Sequence, residues 1–99
     1  MGYPSIQAPV ASAKLALTGN CCIDGLGPHH EQMLRAFEDG AAVELDLTQV
    51  TRMDTAGLQL ILVFVLDMKR QGRGVSVLAA SETVKQCAMS AGVTELLGL

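Results

Sequence analysis

Asp54 and Thr55 are the neighbouring side chains in this sequence whose position best suits them for chemistry. They follow a short apolar segment with a strand pattern and precede a long apolar run, so a helix is expected to begin at them. Either side chain can accept a hydrogen bond from the first backbone N–H groups of that helix, which have no partners within it. Those N–H groups and the positive end of the helix dipole favour added negative charge. A phosphoryl group on Thr55 would therefore be tolerated there.

A phosphate on Thr55 would bring roughly −1.5 to −2 charges beside Asp54. It would act as a local repulsion at any surface where a partner docks. The pair also has a plain structural interpretation, in which Asp54 and Thr55 only cap the helix. The residues alone leave both interpretations open.

The other reactive side chains do not combine into a catalytic or metal-binding set. His29 and His30 are adjacent, and neighbouring residues at a helix start point about 100° apart, so no metal site is predicted. Cys21, Cys22 and Cys87 lack CxxC spacing and basic neighbours, which favours reduced cysteines packed as small hydrophobic residues. No acid, base and nucleophile remain together. We therefore expect neither an enzyme nor a bound cofactor.

The second helix, which follows Thr55, has two apolar faces. One face is expected to contact the sheet and consists of Leu58, Ile61, Leu62 and Val65. The other consists of Ala56, Leu60, Val63 and Phe64, spaced by three and four residues. Because a surface helix needs one apolar face only, the second predicts a protein-docking surface beside Thr55. Contact with the first or third helix, or with a second copy in a homodimer, would cover the same face.

These residues are positioned by alternating strand and helix patterns. The predicted order is ββαβαβα, with strands at 5–10, 14–18, 43–47 and 75–79 and helices at 28–39, 58–70 and 81–91. The strand at 5–10 is expected at an edge because Pro4 and Pro9 cannot complete a ladder, and Cys21 to Ile23 continues the second strand after a kink at Gly19. The apolar run from Leu58 also suits a strand. Strand–helix–strand links require parallel neighbours, so we predict an α/β fold with a mixed, mostly parallel sheet and helices packed on it.

The length of 99 residues fits a single domain, with a core at about 13–97 and residues 1–12 as an edge strand or a flexible N-terminus. The net charge of −3 and three aromatic residues provide neither a basic stripe nor a stacking platform, which excludes nucleic acid as the expected partner. The longest apolar stretch, 58–66, is far short of the ~20 residues that span a membrane. Without a signal-peptide or myristoylation pattern at the N-terminus, a cytoplasmic protein is expected.

The segment from Val43 to Leu47 followed by Met53 to Leu58 resembles the signature of the STAS domain, which is found in anti-sigma factor antagonists and in the cytoplasmic tails of sulfate transporters. The signature has an acidic residue, Ser or Thr, a small residue, Gly and Leu. Leu17 to Gly19 is similar to the end of the second strand of that family, and 72–78 to the strand after its second helix. The resemblance covers about 14–97 and implies the STAS fold.

The resemblance also implies a bacterial signalling domain that is phosphorylated at Thr55 by a serine/threonine kinase, which is itself an anti-sigma factor. The unphosphorylated form would bind the kinase and release the sigma factor. Together with the second apolar face of the helix, the predicted partner-binding residues are Asp54, Thr55, Ala56, Gly57, Leu60, Val63 and Phe64. Two other partners stay open: the ATPase of a lipid-transport ABC complex, where the Thr would only make contact, and a histidine-kinase system of the chemotaxis type.

Overall fold

The computed structural model of the protein describes residues 12–99, so the strand expected at 5–10 lies outside the described residues. Within residues 12–99, three strands alternate with helices, as the sequence predicts for this part of the chain. The strands are β1 (Ala13–Cys21), β2 (Val43–Met53) and β3 (Val75–Ala80), and the helices are α1 (Leu26–Asp39), α2 (Thr55–Arg70), α3 (Glu82–Ala91) and α4 (Thr94–Leu97). A short 3-10 turn at Ile23–Gly25 leads from β1 into α1. The apolar run after Thr55 is therefore a helix.

The three described strands form a parallel sheet in the order β1-β2-β3, which confirms the α/β fold class. The register between β1 and β2 is irregular near Thr18 and between Gly19 and Asn20. Gly19 has a φ of 72°, a conformation that side chains other than glycine rarely adopt. The kink expected at this glycine is present, and β1 ends two residues later at Cys21.

β2 is longer than its sequence pattern predicts. A strand of five residues followed by a loop was expected at 43–47, but β2 continues to Met53. The polar residues after Leu47 remain in the sheet because the segment pairs with the end of β1, where Gly19 lies opposite Val50 and Cys21 opposite Met53. Val50 is buried and anchors this second half. The extension carries the chain directly to Asp54.

The core lies between one face of the sheet and the helices. The alternating residues Leu17, Leu45 and Leu47 are buried there, together with Ile61 and Val65 of α2. The opposite face carries exposed side chains on the described strands, among them Lys14, Thr18 and Ser76. Among residues 12–99, no helix has both the length and the apolar character that a membrane crossing requires.

Arg73 fastens the turn between α2 and β3 to the end of α1. Its guanidinium group donates hydrogen bonds to the backbone oxygens of Phe37, Ala36 (3.0 Å) and Ala41 (2.8 Å). It also lies 5.0 Å from the centre of the Phe37 ring. A helix ends with unpaired carbonyl groups and a negative dipole end, which a guanidinium fork satisfies well. The turn predicted from Gly72 onwards is present, and it also caps α1.

Candidate functional site

The site is built where the carboxyl end of β2 meets the start of α2. Asp54 has extended backbone angles (φ −123°, ψ −175°) and is the N-cap of α2, as the sequence predicts. Thr55 is the first residue of the helix, and it is exposed. Thr55 therefore lies at the surface, adjacent to Asp54 in the chain and at the positive end of a 16-residue helix.

The Asp54 carboxylate joins two segments that are distant in sequence. Oδ1 accepts a hydrogen bond from the backbone N–H of Gly57 at 3.0 Å, which caps the helix. Oδ2 accepts one from the backbone N–H of Ile23 at 2.9 Å, in the 3-10 turn after β1. The bonds from Gly57 and then Ile23 hold the pKa of Asp54 below its usual range, because both stabilise the ionised carboxylate. Asp54 therefore caps α2 and also connects its start to the turn after β1.

Gly57 allows the start of α2 to approach the end of β1. A Cβ atom built on Gly57 would lie 1.8 Å from the backbone oxygen of Cys21, a distance that no side chain can occupy. Gly57 and Cys21 are both buried. The close approach brings the 3-10 turn within reach of the Asp54 carboxylate, so the glycine of the signature has a packing role here.

The 3-10 turn beside the site is held by its own hydrogen bonds. Asn20 Oδ1 accepts from the backbone N–H of Cys22 at 2.8 Å, and Asn20 Nδ2 donates to Asp24 at 3.1 Å. The backbone N–H of Gly25 donates to the oxygen of Cys22 at 2.8 Å. The turn presents Ile23, whose 70% exposure is the highest among the large hydrophobic residues in the described part of the chain. An exposed apolar side chain is thus fixed next to Asp54.

The structure separates the residues expected on the second face of α2. Val63 is 55% exposed, and Ala56 and Leu60 are half-buried. The expectation that Phe64 is open to a partner is wrong, because Phe64 is only 6% exposed. Gly57, which has no side chain, is also buried. Neither residue therefore offers a partner an accessible surface.

The burial of Phe64 has a physical cause in the packing of α1 against α2. The residues that line the groove between the two helices are His30, Met33, Leu34, Phe37, Leu60, Val63, Phe64 and Asp67. Helix α1 therefore covers part of the second apolar face, as one of the alternatives allowed. The part that remains open is Val63, with Leu66 beside it at 40% exposure.

The cysteines and histidines are placed without a reactive partner set. Burial raises the pKa of Cys21, and it raises that of Cys87 together with the nearby charges of Asp54 and Cys22. A raised pKa keeps these groups as thiols, which are weak nucleophiles. Over residues 12–99, no three His, Cys, Asp or Glu side chains lie close enough together to hold a metal ion.

Two contacts of this structure have no signal in the sequence. The Ile23–Asp54 bond spans 31 residues, and the Arg73 bonds to the end of α1 span 32 to 37 residues. Each depends on how helices and strands pack, which no local pattern encodes. An isolated Ile after two cysteines reads as the end of a strand, and Arg73 between two glycines reads as part of a turn.

Solved structures with the same architecture are found in two kinds of protein. A sulfate transporter family protein from Wolinella succinogenes matches with a TM-score of 0.72 and 17% sequence identity, over 93% of this chain and 75% of that chain. The anti-sigma factor antagonist SpoIIAA in its unphosphorylated form matches with a TM-score of 0.68 and 16% identity, over 91% of this chain and 80% of that chain. At these identities the likeness establishes the fold.

No curated protein matches the chain. A family model, in contrast, matches nearly the whole sequence. Residues 5–98 match the family described as "Mlab, STAS domain", a span that contains all the described strands and helices. The chain therefore belongs to the STAS domain family.

Proposed function

We propose that this chain is a protein-binding regulatory domain, and not an enzyme, whose docking to its partner is switched by phosphorylation of Thr55. The observation that carries the proposal is the exposed residue Thr55 at the first position of α2, directly after Asp54, whose lowered pKa keeps it ionised. A kinase can reach the Thr55 hydroxyl, and the start of the helix tolerates the added charge. The switch would operate in the cytoplasm.

The docking surface consists of Thr55, Ala56, Leu60 and Val63 of α2, with the Asp54 carboxylate at its edge. A partner that covers Val63 and the accessible part of Leu60 removes apolar surface from water, which favours association. Phosphorylation places about two negative charges at the edge of the same surface. Burying these charges, or holding them next to an acidic group of the partner, costs free energy and releases the partner.

The first candidate partner is a serine/threonine kinase that also acts as an anti-sigma factor. The structural likeness to the anti-sigma factor antagonist SpoIIAA supports this candidate, since the two chains share the fold that presents the start of α2. In this scheme the unphosphorylated chain binds the kinase and the sigma factor is released.

A second candidate is a subunit that binds the ATPase of a lipid-transport ABC complex without phosphorylation. The observation that favours it is the Asp54 cap, which already supplies the start of α2 with a negative charge. An exposed Thr55 then serves as a contact residue. A histidine-kinase system of the chemotaxis type would use the same surface, and a homodimer through Val63 and Leu66 would compete with any of these partners.

Capture of the partner from cell lysate tests the proposal. The tagged chain and its Thr55→Glu and Thr55→Gln variants are incubated with soluble and membrane fractions, and bound proteins are identified by mass spectrometry. We expect a small kinase-like ATPase to bind the native chain and Thr55→Gln but not Thr55→Glu, and to phosphorylate Thr55. Recovery of an ABC ATPase from the membrane fraction by all three forms would instead support the second candidate.

The same assay locates the docking surface. Val63→Asp places a charge on the exposed part of α2, and we expect it to weaken binding by about tenfold or more. The matched control is Met89→Asp on α3, which is 67% exposed and lies outside the proposed surface. Equal binding by both variants would show that the partner docks elsewhere.

A further inference from the structure

Asp54 is shared between the helix that carries Thr55 and the turn that carries Ile23. One carboxylate oxygen accepts from Gly57 N at 3.0 Å and the other from Ile23 N at 2.9 Å. Gly57 lies three residues after Asp54, and Ile23 lies 31 residues before it. The carboxylate therefore joins the start of α2 to the turn. Because Thr55 directly follows Asp54, a change of charge on Thr55 acts first on this carboxylate.

We propose that Asp54 couples the state of Thr55 to the turn, so that negative charge on Thr55 weakens the bond from Ile23 N–H and loosens the segment that presents the Ile23 side chain. The proposal rests on the phosphorylation of Thr55 proposed above and adds a second effect of the phosphate. Charge on Thr55 would repel a partner directly and would also change the apolar surface next to it.

The physical basis is competition and repulsion at the start of α2. A phosphate on the first helical residue offers oxygens to the N–H groups at the start of α2, among them the Gly57 N–H that Asp54 now binds. It also repels the carboxylate, which the bonds from Gly57 and Ile23 keep ionised. Of the two bonds, the one from Ile23 is the more vulnerable, because it joins residues 31 positions apart, whereas Gly57 and Asp54 lie three residues apart at the same helix start.

The rest of the turn is held by hydrogen bonds within it. Its internal bonds, from Cys22 N to Asn20 Oδ1 and from Asn20 Nδ2 to Asp24, do not involve α2. Loss of the Asp54 bond therefore leaves these internal bonds in place and removes the one side-chain hydrogen bond described between the turn and the start of α2. Ile23, at 70% exposure, has little packing of its own to hold it in place.

Amide hydrogen exchange measured by NMR on the full chain tests the coupling without a partner. Ile23 N–H is followed in the native chain, in Thr55→Glu and in Thr55→Gln, which matches the size of the Glu side chain without its charge. Two unit charges a few ångströms apart in water interact by an amount that corresponds to about a fivefold change in equilibrium. We therefore expect exchange of Ile23 N–H to be about fivefold faster in Thr55→Glu than in Thr55→Gln.

Two further readouts keep the result interpretable. Val84 N–H, which donates to Ser81 at the start of α3, should exchange at the same rate in all forms and shows that the fold is retained. Asp54→Asn, which removes the charge of the acceptor, should speed exchange of Ile23 N–H whatever residue occupies position 55. Equal exchange of Ile23 N–H in Thr55→Glu and Thr55→Gln would overturn the coupling. That outcome is independent of whether Thr55→Glu loses its partner, so failure of the coupling and failure of the proposed function are distinguishable.

Discussion

Helices α2 and α3 both follow neighbouring parallel strands and begin with a side-chain N-cap. Of the two caps, only that of α2 also binds a segment outside its own helix. Both N-caps have extended backbone and accept a bond from the N–H three residues later, Asp54 from Gly57 at 3.0 Å and Ser81 from Val84 at 3.3 Å. Ser81 makes no other side-chain bond among those described, whereas Asp54 also binds Ile23. The cap of α3 serves one helix, and the cap of α2 joins a helix to the turn after another strand.

The two helices also place their negative charge differently. In α3 the cap is a neutral hydroxyl, and the first helical residue is Glu82. In α2 the cap is the carboxylate of Asp54, and the first helical residue is Thr55. Either arrangement satisfies the helix dipole. The difference is that the first position of α2 carries a neutral, exposed residue, where the proposed phosphorylation would add charge.

The largest expected difference in stability between the two helices comes from their third residue, which is Gly57 in α2. Gly57→Ala would force a methyl group into the backbone of Cys21, with 1.8 Å to the carbonyl oxygen. Because backbone atoms cannot give way as a flexible side chain does, we expect a loss of roughly 3 kcal/mol, at the upper end of overpacking costs. Thermal unfolding would show a Tm lower by roughly 12 to 24 °C. The equivalent residue in α3 is Val84, which fills the core instead.

Gly27→Ala is the matched control for this substitution. Gly27 lies in α1, is exposed, and has no atom within 4 Å of a Cβ placed on it. The same chemical change should leave stability unchanged or raise it by up to about 1 kcal/mol, because alanine loses less backbone entropy in a helix. Equal losses in both variants would show that α2 does not approach β1 as closely as the structure has it.

Removal of the two N-cap side chains, one at a time, is expected to give the next largest difference in the free energy of unfolding. Ser81→Ala should cost about 1 kcal/mol, as is usual for an N-cap. Asp54→Ala should cost more, because it leaves the N–H groups of both Gly57 and Ile23 without acceptors. Urea unfolding of the two variants measures the order. A loss no larger in Asp54→Ala than in Ser81→Ala would mean that the bond to Ile23 contributes nothing to stability.

The fold was predictable because its elements are encoded by local patterns. The caps at Asp54 and Ser81 and the alternation in 43–47 and 75–79 each follow from the sequence near them. The end of β2 was not predictable from the same kind of pattern. The polar residues Thr48, Gln49 and Thr51 belong to a strand because β1 lies beside them, and pairing between distant segments leaves no local signature.

The positions of Asp54 and Thr55 in the candidate site were predictable, but the exposure of the apolar residues around them was not. A hydroxyl after a carboxylate at a helix start identifies Thr55, and the structure exposes it. The sequence could not decide which apolar residues of α2 stay open, because that depends on how α1 lies against α2. Phe64 is buried and Val63 is exposed although both fall on the same predicted face. Ile23 was missed for a similar reason, since its place beside Asp54 depends on the close contact at Gly57.

The pH dependence of the two caps should differ, with a smaller effect than either substitution. The bonds from Gly57 and Ile23 lower the pKa of Asp54 in the folded state, so their contribution to stability is complete above the unfolded value of about 4 and is lost as pH falls through the folded pKa. We therefore expect the difference in unfolding free energy between the native chain and Asp54→Asn to be constant from pH 7 to 5 and to shrink below about pH 4. The difference between the native chain and Ser81→Ala should stay flat, because a hydroxyl does not titrate there.

This comparison isolates Asp54 from the other acids of the protein. Asp46 also has a lowered pKa, through its bonds from the Thr48 side chain and backbone, but its titration occurs in the native chain and in both variants and cancels in each difference. Burial raises the pKa of Cys87, so this thiol stays neutral in the acidic range. Urea unfolding at pH 7, 5, 4 and 3 provides the measurement. If the Asp54→Asn difference is as large at pH 3 as at pH 7, the Asp54 side chain stabilises the start of α2 without its charge, and added charge on Thr55 would have no charge-assisted hydrogen bond to weaken.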